Sequence, residues 1–272
     1  MAKYKKKRAR ELQHDKFRDT AGIIFARLGD RLEGKGKAIL YGLIGIVVLA
    51  ILVGVWLRWS NRKADEAQRA LGRAIAIASA PLASDPVGAA DPTAPKFSSQ
   101  QERAQKAIEE FQKVAAKYGD PYRTEARYFI ATNLLAIDRD KAMTELAEVA
   151  KSSIAEVATL AKFALAQAKE ADAKFDESAK LYTELAAQNA TVVTADTANL
   201  GLAGVYEKQG KKKEAADLLF NLVDAARKAK DKDGTPIPLS AAARQATQEL
   251  QKLDPDRYAK LTPETPSGDL PF

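Results

Sequence analysis

Few side chains in this sequence could exchange a proton, attack a substrate or hold a metal, and their spacing is wrong for each task. His14 is the only histidine and cysteine is absent, so a histidine triad, a thiolate nucleophile, a disulfide framework or a Cys/His metal cluster cannot be assembled in the C-terminal part of the chain. Gly34-Lys35-Gly36-Lys37 has the residue types of a phosphate cradle, but the Gly-x4-Gly-Lys-Ser/Thr spacing is missing and no strand precedes it. Asp231-Lys232-Asp233-Gly234 opens like a calcium loop without the later acidic ligand at the required spacing, which makes it a solvated turn. Glu109 and Glu110 are adjacent carboxylates on a helix whose apolar stripe already accounts for it, so they belong to a solvated face. No cofactor, metal or small-molecule substrate is expected, and the chain reads as a non-enzyme.

The elements that carry these residues are helical. Apolar residues make up 46% of the 272 positions, mostly Ala and Leu, with only 7% aromatics and 29% charged residues, a mixture suited to long amphipathic helices. The formal net charge is +7, but residues 1–37 hold 12 Lys/Arg against 5 Asp/Glu and leave 31 against 31 in the rest. A nucleic-acid-binding domain needs a basic face of its own, so this distribution argues against nucleic acid and for membrane orientation.

Residues 1–37 read as a basic cytoplasmic arm. Residues 1–10 are a run of like charges, and Phe17, Ala21, Ile24, Phe25, Leu28 and Leu32 then recur at helical spacing, which predicts a basic amphipathic helix lying on an anionic leaflet. Residues 38–57, AILYGLIGIVVLAILVGVWL, are 20 positions without a charge. At 1.5 Å rise per residue they span about 30 Å, the hydrocarbon thickness of a bilayer, and predict one transmembrane helix with Tyr41, Trp56 and Trp59 as interfacial aromatics. The segment ends in Trp56, Arg58 and Trp59 without a small-residue cleavage site, so it is expected to stay as an anchor. Flanking charges tie, and the basic arm decides the orientation: N-terminus cytoplasmic, C-terminal domain outside the cytoplasm.

Residues 58–80 continue as a flanking helix with Ala64, Ala67, Leu71, Ala74, Ile75 and Ala78 on one stripe. Pro81, Pro86, Pro92 and Pro95 make residues 81–100 a Pro-rich loop. From 101 to 253 a pattern returns: Ala107, Phe111 and Val114, then Ala142, Leu146 and Val149, then Ser178, Tyr182 and Leu185, then Ala215, Leu219 and Leu222. The periods of 35, 36 and 37 residues predict stacked helical hairpins, none of which can bury its apolar face alone. Residues 254–272 are a C-terminal tail. The fold class is therefore all-α, a single transmembrane helix followed by a tetratricopeptide-like helical-hairpin solenoid.

The last unit carries the resemblance to the tetratricopeptide family. Leu202, Ala203 and Tyr206 match the large, small and aromatic positions of its first helix, Gly210 the interhelix turn, and Ala215, Leu219 and Leu222 its second helix. In the preceding unit Leu165, Ala166, Phe175, Ser178, Tyr182 and Leu185 fall at corresponding places with Lys169 where the aromatic is expected, and Asn133 replaces that aromatic one unit earlier. The basic N-terminal stretch, membrane helix, Arg58-Trp59-Ser60 element and degenerate hairpins together resemble the ancillary SecYEG translocon subunit family typified by YfgM. That resemblance implies a bacterial inner-membrane protein, periplasmic at its C-terminus, associated with the translocon and periplasmic chaperones. The longer basic tail, the Pro-rich loop and the extension from Lys230 depart from the family.

Function follows as a membrane-anchored protein–protein interaction module, an ancillary factor of translocation, chaperone handover or envelope assembly. Its alternative is a structural or regulatory membrane protein that acts through the basic arm on anionic lipid, ribosome or nucleic acid, with the repeats used for oligomerisation. The family register places Arg127, Phe163, Gln167, Glu170, Asn199 and Glu207 on the partner-binding surface. Phe163 has a second reading, packing inside its own hairpin.

Overall fold

The computed structural model describes residues 36–83, 96–188 and 190–263. Its helices are α1 (Gly36–Ala78), α2 (Gln100–Lys117), α3 (Tyr122–Leu134), α4 (Arg139–Val149), α5 (Ala155–Ala171), α6 (Phe175–Ala187), α7 (Ala195–Lys208), α8 (Lys212–Lys228), α9 (Ala241–Leu253) and the short α10 (Pro255–Tyr258). Two isolated bridges, Leu82 with Phe97 and Lys230 with Pro236, are the extended pairings among the described residues. Polar caps start several helices: the side chains of Ser99, Asp138, Thr194, Ser240 and Asp254 each accept an N–H from the first turn they open.

Two compact units meet at Ala64 and Asp65, inside the bounds of α1. In the first, Leu49, Ile51, Leu52 and Val53 are exposed by 46–62%. Among the described residues no helix is long and apolar enough to cross a membrane. The expected span 38–57 is described in its side chains only from 49 to 53. The basic arm with its amphipathic helix up to residue 35, and the interfacial Tyr41, Trp56 and Trp59, lie outside that description.

The second unit is a tetratricopeptide-like stack of hairpins. Its core divides into four clusters, and each takes residues from three successive helices. Leu71 and Ala74 of α1 pack with Ala107, Phe111 and Val114 of α2 and Ala126 of α3. Ala131 of α3 packs with Leu146 and Val149 of α4 and with Val157, Ala161, Ala164 and Leu165 of α5. Ala166 of α5 joins Tyr182 and Leu185 of α6 and Ala198, Leu202 and Val205 of α7. Ala203 of α7 joins Leu219, Leu222 and Val223 of α8 and Ala243, Ala246 and Leu250 of α9. One hairpin plus the first helix of the next is thus the smallest piece that closes a core, which is why the array needs several repeats.

All twelve residues of the recurring triplets are buried, none more than 6% exposed, and all lie on the second helices α2, α4, α6 and α8. Ser178 occupies a place where all three other units have Ala, and its hydroxyl donates to Ala166 O at 2.8 Å across the hairpin, which satisfies a fully buried polar group. The first helices touch in series, α3 with α5, α5 with α7 and α7 with α9, whereas α2, α4, α6 and α8 make no such contacts with one another. The first helices are therefore the inner row.

The segment after α1 is pinned at both described ends: Ala83 N donates to Phe97 O at 2.9 Å, Phe97 is buried, and Arg103 Nη1 donates to Ala80 O at 2.8 Å. Residues 84–95, which hold most of the expected Pro-rich loop, lie outside the described residues. At the other end residues 254–263 belong to the packed body. Leu261 is buried in the last cluster, Arg227 Nη1 donates to Thr262 O at 2.8 Å, and Thr262 Oγ1 donates to Asp224 at 2.7 Å.

Candidate functional site

Inner-row positions follow from where each helix buries its small residue. In α7 and α5 that residue lies twelve positions before its partner on the second helix, Ala203 before Ala215 and Ala166 before Ser178. In α3 the fully buried alanines are Ala126 and Ala131, the counterparts of Ala161 and Ala166 on α5, and Ala131 lies eleven before Ala142, so the register of this hairpin is displaced by one residue. Leu134 is buried at the place of the family aromatic, and Asn133 instead turns its amide back to Phe129 O at 2.8 Å.

That displacement decides where the expected surface residues lie. Arg127 is exposed and its Nη2 donates to Glu145 at 3.2 Å, on the second helix of its own hairpin. Glu125 and Tyr128 stand in the places on α3 that Leu160 and Phe163 hold on α5. Phe163 is half-buried against the α5–α7 core, with its ring edge-on to Tyr182 of its own hairpin at 5.9 Å between centroids. Gln167 is exposed, and Asn199 and Glu207 are half-buried on α7.

Glu170 is the best-held polar group of the row. Lys208 Nζ of α7 donates to its Oε1 at 2.7 Å and Tyr182 Oη of α6 donates to its Oε2 at 3.2 Å, so one carboxylate ties three helices together. Burial, and then the adjacent Glu170 charge and hydrogen bond, raise the Tyr182 phenol well above its ordinary value, and it remains a donor across the accessible pH range. The ring lies so close to α7 that a Cβ at Gly201 would fall 2.5 Å from Tyr182 Cε1. Glycine at 201 is required by that close approach, a demand the triplet spacing of the second helices cannot show.

Three carboxylates the sequence pattern did not single out, Glu125, Glu156 and Glu249, join Glu207 in the row. Glu125 of α3 feels the charge of Glu156 on α5, and Glu207 of α7 that of Glu249 on α9. Burial, with the neighbouring like charge second, raises Glu125; burial and then Glu249 raise Glu207 against a smaller opposing effect of Lys212. Such a pair is visible only once helices that are separated in sequence become neighbours.

The chemistry-bearing motifs resolve as structure. Asp231 Oδ1 accepts the N–H groups of Asp233 at 2.9 Å and Thr235 at 2.8 Å, and Gly234 adopts φ +80°, so the calcium-like stretch is a tight polar turn. Glu109 and Glu110 pair with Lys106 and Lys113 of their own helix. Among the described residues no group of three or more metal-ligating side chains converges. A notch between α5 and the ends of α4 and α6 is lined by Ala150, Ala155, Ala158, Thr159, Lys162 and Gln188.

No family model matches the chain, and neither does any curated protein. Among solved structures, similarity is found to crystal structures of a putative kinesin light chain from Podosopora anserina with nearly identical TPR-like repeats and of a variant of that protein. Each is 21% identical and aligns over 57% of this chain and 79% of the other, with TM-scores of 0.44 and 0.45. The hairpin array rests on its own packing, not on this likeness.

Proposed function

We propose that this chain is a membrane-tethered interaction module whose inner helical row holds a partner polypeptide. The observation that carries it is the serial contact of α3, α5, α7 and α9, which presents half-buried side chains from four separate helices as one continuous face. Stacked hairpins of this kind offer extended surfaces rather than closed pockets, and such surfaces suit polypeptides better than small molecules. The tether is the uncharged stretch 38–57, in which Leu49, Ile51, Leu52 and Val53 expose apolar side chains that water does not favour.

The finer reading follows the resemblance to the YfgM-typified family: an inner-membrane protein with its array on the periplasmic side, serving the SecYEG translocon and periplasmic chaperones. Nothing in this reading assigns a reaction to the protein.

Site-specific photo-crosslinking in intact cells tests the reading. A crosslinker at Gln167 on the inner row is expected to give a discrete adduct that the same group at exposed Lys180 on α6 does not give. Adducts of equal intensity at both sites, or at neither, would remove the inner row as the partner face. Reporter fusions after Phe272 check the side of the membrane: a periplasm-active reporter is expected to function there and a cytoplasm-active one to stay silent. The reverse would favour the basic arm as the acting part.

A further inference from the structure

The inner helices α3, α5 and α7 are followed by outer helices of 11, 13 and 17 residues, but among the described residues α9 is followed only by the four-residue α10. A strap, residues 254–262, lies on the last cluster instead. Its Leu261 is buried with Leu219, Leu222, Val223, Ala246 and Leu250, and Tyr258 is half-buried beside them. At one end the Arg257 guanidinium pairs with Asp217 and donates from Nη1 to Lys213 O at 3.5 Å. At the other, Arg227 Nη1 donates to Thr262 O at 2.8 Å and Thr262 Oγ1 donates to Asp224 at 2.7 Å. Lys213 and Asp217 belong to the first half of α8, Asp224 and Arg227 to the second, so the strap runs beside α8 in the direction of α8 itself. Alternation of inner and outer helices would give a further outer helix that same direction.

The strap is held less firmly than the helices it covers. Leu261 is its one buried residue, whereas each outer helix buries at least three. The Asp217 and Arg257 side chains are 53% and 24% exposed, and ion pairs open to water add little. Segments with few buried apolar side chains open locally while the rest of the fold stays closed. An open strap would uncover an apolar slot between α8 and α9, with the Asp217 carboxylate toward one end and Asp224 and Arg227 toward the other.

We propose that the groove between α8 and α9 is a docking site for a partner polypeptide that displaces the strap and copies its anchors. The partner sets an arginine against Asp217 and, four positions on, a leucine in the slot that Leu261 fills. A second copy of this chain suits the groove less well. Asp254 is the single residue between α9 and α10, so a copy that lends its strap must bring the two α9 ends together. The polar anchors of the groove sit on the outer helix α8, which separates it from the inner face. The resident strap competes from within the chain at an effective concentration of about millimolar, so loosening it should admit a free segment.

Two measurements on the full chain in mild detergent test this. In hydrogen exchange, the amides of residues 257–262 are expected to exchange at least about tenfold faster than those of residues 243–250 on α9. In fluorescence anisotropy, a labelled peptide with the sequence of residues 254–263, DPDRYAKLTP, is expected to bind the Arg257→Ala, Leu261→Ala chain at least about tenfold more tightly than the wild type. Adding Asp217→Asn to the loosened chain should weaken the peptide about tenfold, and a peptide with alanine for both its arginine and its leucine should not bind. Strap amides as slow as those of α9, or a peptide affinity that does not rise on loosening, overturns the proposal. A loosened chain that no longer melts cooperatively also overturns it, because the strap is then part of the core. Wild-type dimers that the peptide dissociates in sedimentation would assign the groove to a second copy and overturn the partner.

Discussion

The outer and inner helices of the array have the same length scale and the same alanine-rich composition, yet they answer to different demands. The outer helices repeat themselves: a small residue, then a large one four positions on, then another three positions later, all buried, in α2, α4, α6 and α8. The inner helices repeat a buried pair of their own, Ala126 and Ala131, Ala161 and Ala166, Ala198 and Ala203, but differ beside it. At equivalent places they hold Glu125, Leu160 and Thr197, or Tyr128, Phe163 and Leu200. An outer helix has one task, to fill the groove between two inner helices, and that task is the same in every repeat. An inner helix must pack on both sides and also present a face, so its sequence is free to differ between repeats. The difference teaches where identity is written in such a fold: on the face of the inner row that does not repeat.

The largest expected effect comes from deleting a repeated outer residue. Leu146→Ala removes a fully buried side chain of the second cluster and should lower stability by about 3 kcal/mol in chemical unfolding. Phe163→Ala, at a half-buried inner position, should have a smaller cost, about 2 kcal/mol, because part of its ring already faces solvent. Equal losses at the two sites would erase the distinction between the rows.

Next is the meeting of the two rows at Tyr182. Gly201→Ala places a methyl group against that ring and is expected to destabilise by about 1–2 kcal/mol despite the better helix propensity of alanine. Introduced together with Tyr182→Leu, which removes the ring, the same change should add almost nothing further. A full additive penalty in the double variant would show that the ring is not what excludes a side chain at 201.

The hairpin turns give a smaller effect of opposite signs. Ala173 and Gly210 hold the same place between inner and outer helix, with φ of +58° and +76°. Alanine is disfavoured in that region and glycine is not, so Ala173→Gly should stabilise by about 1 kcal/mol and Gly210→Ala should destabilise by a similar amount. Thermal melts of the two variants should therefore shift in opposite directions.

The smallest effect is one of pH. Glu125 and Glu207 are raised above the ordinary carboxylate value of 4.5, so the folded state binds their protons more tightly than the unfolded chain does. The stability associated with them is fully present below the unfolded value and is lost as pH rises through the raised folded values. Outer-row Glu109, Glu148 and Glu177 are lowered, chiefly by hydrogen bonds from Lys106, Lys151 and Lys169, and act with the opposite sign. Glu125→Gln combined with Glu207→Gln should leave stability near pH 4 unchanged and raise it slightly at neutral pH. A variant that loses stability at neutral pH would place those carboxylates in the same role as the outer ones.

The sequence by itself determined the all-helical class, the hairpin period and the buried triplets of the outer helices. Burial of a stripe is a local demand, and it recurs every 35–37 residues with the same residue sizes. It also determined Gly210 as the turn, because a left-handed residue favours glycine, although Ala173 holds the same place in the preceding hairpin. Tertiary structure alone decided the one-residue displacement in α3, which turned Arg127 toward Glu145 and set Glu125 against Glu156. One residue fewer between the buried alanines of the two helices, eleven positions instead of twelve, changes which side of a helix faces its neighbour, and nothing in the helix's own periodicity records it. Glu207 and Glu249 likewise meet only because α7 and α9 become neighbours across an intervening outer helix, a proximity set by how hairpins stack.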